Sequence, residues 1–101
     1  MGRSGTRTRA RVQEILKRHK AQLREQFKVK EIGFFGSCVR GEDSEQSDVD
    51  ILVEFYDRVG WEFIDLKEFL EKILGRKVDM VTVGGLKPQL KERILKEVVY
   101  A

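Results

Sequence analysis

The sequence predicts an α+β (α/β) domain, a small mixed sheet of about three or more strands with helices packed on one face, in the order α-β-β-α-β-α. Three observations carry that expectation. Apolar residues recur at helical spacing in three stretches, near residues 12–27, 61–74 and 86–98. Three shorter runs rich in β-branched and aromatic residues, "KEIGFFGS", "DVDILVEF" and "KVDMVTV", lie between them. Glycine or polar turn residues bound those runs, so the periodicity changes where the chain has to change direction.

Each element has its own justification. The opening "MGRSGTRT" has no apolar periodicity and reads as a flexible start over residues 1–8, which leaves 9–101 as one domain. From Arg9, the residues Val12, Ile15, Leu16, Leu23 and Phe27 form one stripe with His19 on it, so a single amphipathic helix is expected. His19, the sole histidine, reads as a packed or rim residue, because no carboxylate pair or cysteine frames it locally. "KEIGFFGS" is a buried strand running into a tight turn at Gly36, and "CVRGEDSEQS" leaves room for one short helical turn. In "DVDILVEF", Val49, Ile51, Val53 and Phe55 alternate onto one face and Asp48, Asp50, Leu52 and Glu54 onto the other.

The next helix, "WEFIDLKEFLEKILG", places Trp61, Ile64, Leu66, Phe69, Leu70, Ile73 and Leu74 on a broad stripe and Gly75 at the C-terminal cap. "KVDMVTV" is the third strand, ended by Gly84 and Gly85. A last helix opens at Pro88, acceptable in a first turn, and carries Leu90, Ile94, Leu95 and Val98 on one side.

Composition narrows the function classes. The chain has 101 residues, 41% of them hydrophobic, enough for one core and too few for two when domains commonly run to about 100–150 residues. Cys38 is the single cysteine, so no internal disulfide forms, and no apolar run approaches the roughly 18 residues of a membrane span. The expected setting is therefore the cytoplasm, with no membrane contact. The net charge of +3 is unevenly spread: residues 1–30 hold ten Lys or Arg against two Glu, and residues 31–101 hold ten basic against fifteen acidic side chains. A basic first third could follow nucleic acid, but no aromatic platform interleaves with those charges, and a solvated helix face is the preferred reading.

The stretch that points to chemistry is "GSCVRGEDSEQSDVDILVEF". Asp48 and Asp50 project to one side of a strand with Cα atoms roughly 6.5–7 Å apart, and two like charges so placed call for basic neighbours or a metal. Mg²⁺ suits carboxylate oxygens, retained water and substrate phosphates. Asp79, in the third strand, would bring a further carboxylate if that strand lies beside the second. Gly36 and Ser37 form a corner after a strand, where glycine permits close backbone approach and a hydroxyl with backbone N–H groups can hold phosphate oxygens. Arg40 adds a guanidinium fork suited to phosphate.

Gly36-Ser37, ten further residues, Asp48-x-Asp50 with the apolar continuation "ILVEF", and Asp79 on a later strand together resemble the polymerase-β-type nucleotidyltransferase superfamily. More narrowly, the short chain resembles the minimal nucleotidyltransferases (MNT), and the likeness runs from about the first helix to the last. The resemblance implies the nucleotidyltransferase fold and Mg²⁺, as two ions, held by Asp48, Asp50 and Asp79, with ATP as substrate. Asp79 would also help activate the acceptor hydroxyl, and Gly36 and Ser37 would grip the β- and γ-phosphates. Arg40 and Gly41 match an "RG" of the minimal proteins. Proteins of this look are paired with HEPN-domain toxins as antitoxins that transfer AMP from ATP to a toxin tyrosine, which makes a HEPN toxin the expected partner. A homo-oligomer is also compatible, since so short a chain would take its acceptor pocket from a partner or a second copy.

A different class of protein fits part of the same evidence: a binding module that keeps the fold and neutralises its partner by occlusion without catalysis. Two motif readings fail outright. An EF-hand needs glycine at the sixth loop position, which "DSEQSDVD" lacks, and no Gly-Lys-Ser/Thr follows Gly36 to make a Walker loop. Cys38 is expected as a small buried filler, and Trp61 and Phe63 as core packing in preference to a base-stacking platform.

Overall fold

The computed structural model describes residues 4–41 and 47–101. The "GEDSEQS" connection thus lies largely outside the described residues. Helix α1 (Ser4–Arg18) is followed by α2 (Lys20–Phe27), strand β1 (Val29–Phe35), the single turn α3 (Ser37–Arg40) and strand β2 (Val49–Phe55). Helix α4 (Trp61–Leu74), strand β3 (Val78–Thr82), a 3₁₀ turn at Val83–Gly85, helix α5 (Pro88–Glu97) and the two-residue strand β4 (Val99–Tyr100) complete the chain. The sheet is mixed, in the order β3-β2-β1-β4. Strand β2 runs antiparallel to β1 and parallel to β3, with α4 as the crossover between β2 and β3.

Alternation along the strands decides what is buried. Ile32 and Phe34 of β1 stand opposite Val53 and Ile51 of β2, and Val78 and Met80 of β3 opposite Val49 and Ile51. All of them enter one core with Val12 and Leu16 of α1, Leu23 and Phe27 of α2, and Leu66 and Leu70 of α4. Cross-strand partners share a face, so the register alone puts these side chains under the helices. The other face is not bare: Leu52 is 1% exposed, and a Cβ on Gly33 would stand 2.9 Å from a methyl of Val98. Glycine at 33 is what lets the chain after α5 cross so closely before pairing with β1 as β4.

The structure corrects several expectations. The first helix begins at Ser4, ahead of Arg9, and residues 1–3 lie outside the described residues. It is also two helices. The carbonyl of Ile15 is shared between the His19 N–H, at 3.3 Å, and the His19 ring Nδ1, at 2.9 Å, and His19 leaves helical geometry at φ −100°, ψ 8°. A side chain that intrudes on the i→i−4 ladder bends a helix at that point. The His19 ring then packs edge-on against Phe69, with centroids 5.6 Å apart, which makes it a packed residue as expected.

In α4, Leu66 and Leu70 are buried and Phe63, Phe69, Ile73 and Leu74 pack against the core, but Trp61 is 79% exposed and Ile64 is also exposed. Phe63 between them packs inward, whereas at about 100° per residue Trp61 and Ile64 fall on the side of α4 opposite Leu66 and Leu70. Val98 is not helical: α5 stops at Glu97 and the chain turns extended to form β4, a strand too short for periodicity to reveal. Among the described residues no helix is long and apolar enough to cross a membrane.

Candidate active site

The glycine corner is built where β1 ends. Gly36 adopts φ 80°, ψ −147°, a region open essentially to glycine, and its carbonyl accepts from the N–H groups of Val39 at 3.0 Å and Arg40 at 3.2 Å. Those two bonds wind Ser37–Arg40 into one turn, closed by Gly41 at φ 75°. Cys38 points into the core at 1% exposure, as the sequence suggested, and leaves Ser37 half-buried at the corner. A Cβ on Gly36 would collide with the Asp50 carboxylate oxygen Oδ2. Glycine is therefore required twice here, by its backbone angle and by the carboxylate lying against it.

The same register that packs the core delivers the acids. Phe35 of β1 stands opposite Asp50, and Asp50 stands opposite Asp79 on parallel β3. Neighbouring strands lie about 4.7–4.9 Å apart, so Asp50 and Asp79 are adjacent on the face away from the main core. Asp48 is exposed one residue ahead of β2. Its approach is clamped from both sides: Arg76 Nη2 donates to the Ser47 carbonyl at 2.8 Å, and the Val49 N–H donates to the Lys77 carbonyl at 2.8 Å. Arg76 was not among the residues read from the sequence, because its contact with the Ser47 carbonyl is to backbone and no motif marks it.

Electrostatics report the crowding. The Asp50 carboxyl is held above the usual carboxylate range, first by its burial and then by the charges of Asp79 and Asp48, with Glu97 adding to them and Arg40 opposing. Asp50, with Asp79 and Asp48 near enough to oppose its charge, offers hard carboxylate oxygens whose mutual repulsion a divalent cation would relieve, a donor chemistry of the kind Mg²⁺ takes. Among the described residues, these side chains do not by themselves close into a ready-made ligand set.

Glu97 is the residue that sequence reasoning missed. Its Oε2 accepts from the Gly36 N–H at 2.8 Å, and its Oε1 accepts from Arg40 Nη1 at 2.6 Å. Burial pushes its carboxyl up, but the hydrogen bonds from Arg40 and Gly36 and the charges of Arg40 and Arg93 outweigh that and leave it below the usual range. One signal was legible: an acid in the last turn of a helix faces the negative end of the macrodipole, which favours Lys or Arg there. An acid so placed needs positive partners, and Arg40 and a backbone N–H supply them.

The corner, Arg40, Asp50 and Asp79 are thus brought together, with Asp48 beside them. The arrangement puts anion-binding groups next to a carboxylate cluster, which is what a site for a metal-bound polyphosphate needs.

Known proteins share this frame. A family model described as a nucleotidyltransferase domain matches residues 16–101, which takes in every residue of the site. The protein adenylyltransferase MntA of Thermococcus cleftensis is 51% identical over 90 residues, covering 88% of this chain and 91% of that protein. A solved structure assigned as a minimal nucleotidyltransferase superposes with a TM-score of 0.73 at 36% identity, covering 94% of this chain and 93% of that one. The MNT antitoxin in complex with the tri-AMPylated HEPN toxin of Shewanella oneidensis gives a TM-score of 0.61 at 21% identity, over 87% of this chain and 70% of the other, a likeness of fold alone. With the mixed sheet, the glycine corner and the neighbouring strand aspartates all in place inside the matched span, this chain belongs to the nucleotidyltransferase domain family.

Proposed function

We propose that this nucleotidyltransferase transfers AMP from ATP to a tyrosine hydroxyl of a partner HEPN-domain toxin and thereby acts as its antitoxin. The observation that carries the reading is the juxtaposition of Gly36, Asp50 and Asp79, fixed by strand register and by the contact that only glycine allows. The similarity to a protein adenylyltransferase supports AMP and a protein acceptor, and the shared fold with an antitoxin bound to an AMPylated HEPN toxin supports the partner.

In this reading Gly36, Ser37 and Arg40 hold the outer phosphates of ATP. Asp48, Asp50 and Asp79 hold Mg²⁺, as two ions, which when bound neutralises triphosphate charge and makes the acceptor hydroxyl more acidic. The tyrosine oxygen attacks the α-phosphorus, a new P–O bond forms, and the α–β anhydride bond breaks in line with release of pyrophosphate. Asp79, exposed at the sheet edge, takes the hydroxyl proton. Arg76 keeps Asp48 in place through the Ser47 carbonyl.

The test is to mix the protein with its HEPN partner, α-labelled ATP and Mg²⁺. Label is expected on a partner tyrosine, and Asp48→Asn, at an exposed position, is expected to fold normally and lose at least about a hundredfold in rate. No label with the wild type, or equal label with Asp48→Asn, would overturn the proposal. Inhibition of the toxin without label would indicate occlusion instead.

A further inference from the structure

Two of the three groups assigned to phosphate are already engaged by an anion that belongs to the protein. The Gly36 N–H and the Arg40 guanidinium both donate to the Glu97 carboxylate, one to each oxygen. A backbone N–H makes one strong hydrogen bond, so a phosphate oxygen seated on Gly36 has to remove Glu97 from it. A carboxylate left at that spot would also face the phosphate across a few ångströms with like charge. Glu97 is placed to leave. It is the last residue of α5, a helix with no buried side chain among its described residues, and its own side chain is 27% exposed.

We propose that Glu97 is an intramolecular stand-in for phosphate: it occupies the Gly36 and Arg40 donors in the free protein, and the outer phosphates of the nucleotide displace it. This rests on the nucleotide reading of the corner and goes beyond it by naming the residue that sets nucleotide affinity. Such a contact balances the charge of the corner and satisfies its donors when no nucleotide is bound. It also sets a threshold, because the incoming phosphates must compete with a charge-assisted pair.

The opposite role is a strut, in which Glu97 holds Arg40 and the corner in the geometry that receives phosphate. The two roles differ in the sign of one measurement. Titration calorimetry of ATP with Mg²⁺ on wild type, Glu97→Gln and Glu97→Ala reads affinity without requiring turnover. The stand-in predicts tighter binding in both variants, by about tenfold, with the larger gain for Glu97→Ala, since a charge-assisted pair contributes on the order of one power of ten to an equilibrium constant. Inorganic tripolyphosphate should show the same gain, because the competition concerns phosphate and not the base. Weaker or unchanged binding in both folded variants overturns the stand-in while leaving the nucleotide reading intact. Failure of wild type and variants alike to bind ATP overturns both.

Discussion

The two faces of the sheet are made by the same strands and follow opposite rules. On one, Ile32, Phe34, Val49, Ile51, Val53, Val78 and Met80 meet the helices, and each gains by its neighbours' presence. On the other, Asp50 sits between Asp79 and the Gly36 corner, and its burial, with the charges of Asp79 and Asp48, makes it harder to ionise. Asp50 and Ile51 are consecutive, yet Ile51 stabilises the fold by leaving water and Asp50 holds a charge in a place that resists it. A strand can thus place acidic groups with the precision of core packing, because the side that packs fixes the register for the side that carries the charges.

That contrast can be broken from either face. The largest effect is expected from Phe34→Ala, which removes the largest fully buried side chain and should cost about 3–5 kcal/mol, read from the midpoint of denaturant unfolding. A cost near zero would mean that the packed face does not anchor the register. On the acidic face the sign should reverse. Asp50→Asn relieves like-charge crowding and should raise stability at neutral pH by roughly 0.2–1 kcal/mol, a shift of a few degrees in the thermal midpoint, while transfer is lost. A destabilised Asp50→Asn protein would mean that the carboxylate is structural and not held against its preference.

The smallest effect concerns Glu97. Its folded-state pKa lies below the unfolded one, so its contribution is complete above the ordinary carboxylate range and is lost as pH falls through the lowered folded value. Thermal midpoints measured from neutral pH downward should therefore fall more for wild type than for Glu97→Gln. Parallel curves would show that the contact with Gly36 and Arg40 adds nothing to stability.

Much of the arrangement was legible in local pattern. Period-two alternation in "DVDILVEF" placed Val49, Ile51 and Val53 under the helices, and Gly75 marked the end of α4, where it takes φ 67°. Trp61 and Ile64 counted toward a broad apolar stripe yet remain exposed, because at about 100° per residue they fall on the opposite side of α4 from Leu66 and Leu70. His19 broke a helix that the apolar stripe made continuous, because its ring competes for the carbonyl its own backbone needs.

What the sequence determined by itself was the three longer strands and the helical stretches around them, the side of each of those strands that is apolar, and the types of residue able to meet phosphate and metal: Gly36, Ser37, Arg40, Asp48, Asp50 and Asp79. Those follow from spacing and side-chain chemistry, which are local. Only the tertiary structure decided that β3 lies parallel to β2 with Asp79 opposite Asp50, that Asp50 rests against Gly36, and that Glu97 reaches that corner from 61 residues away. Strand pairing and the return of the last helix depend on which surfaces are left to bury once the elements exist. That is a property of the whole chain, and no short stretch of it carries the answer.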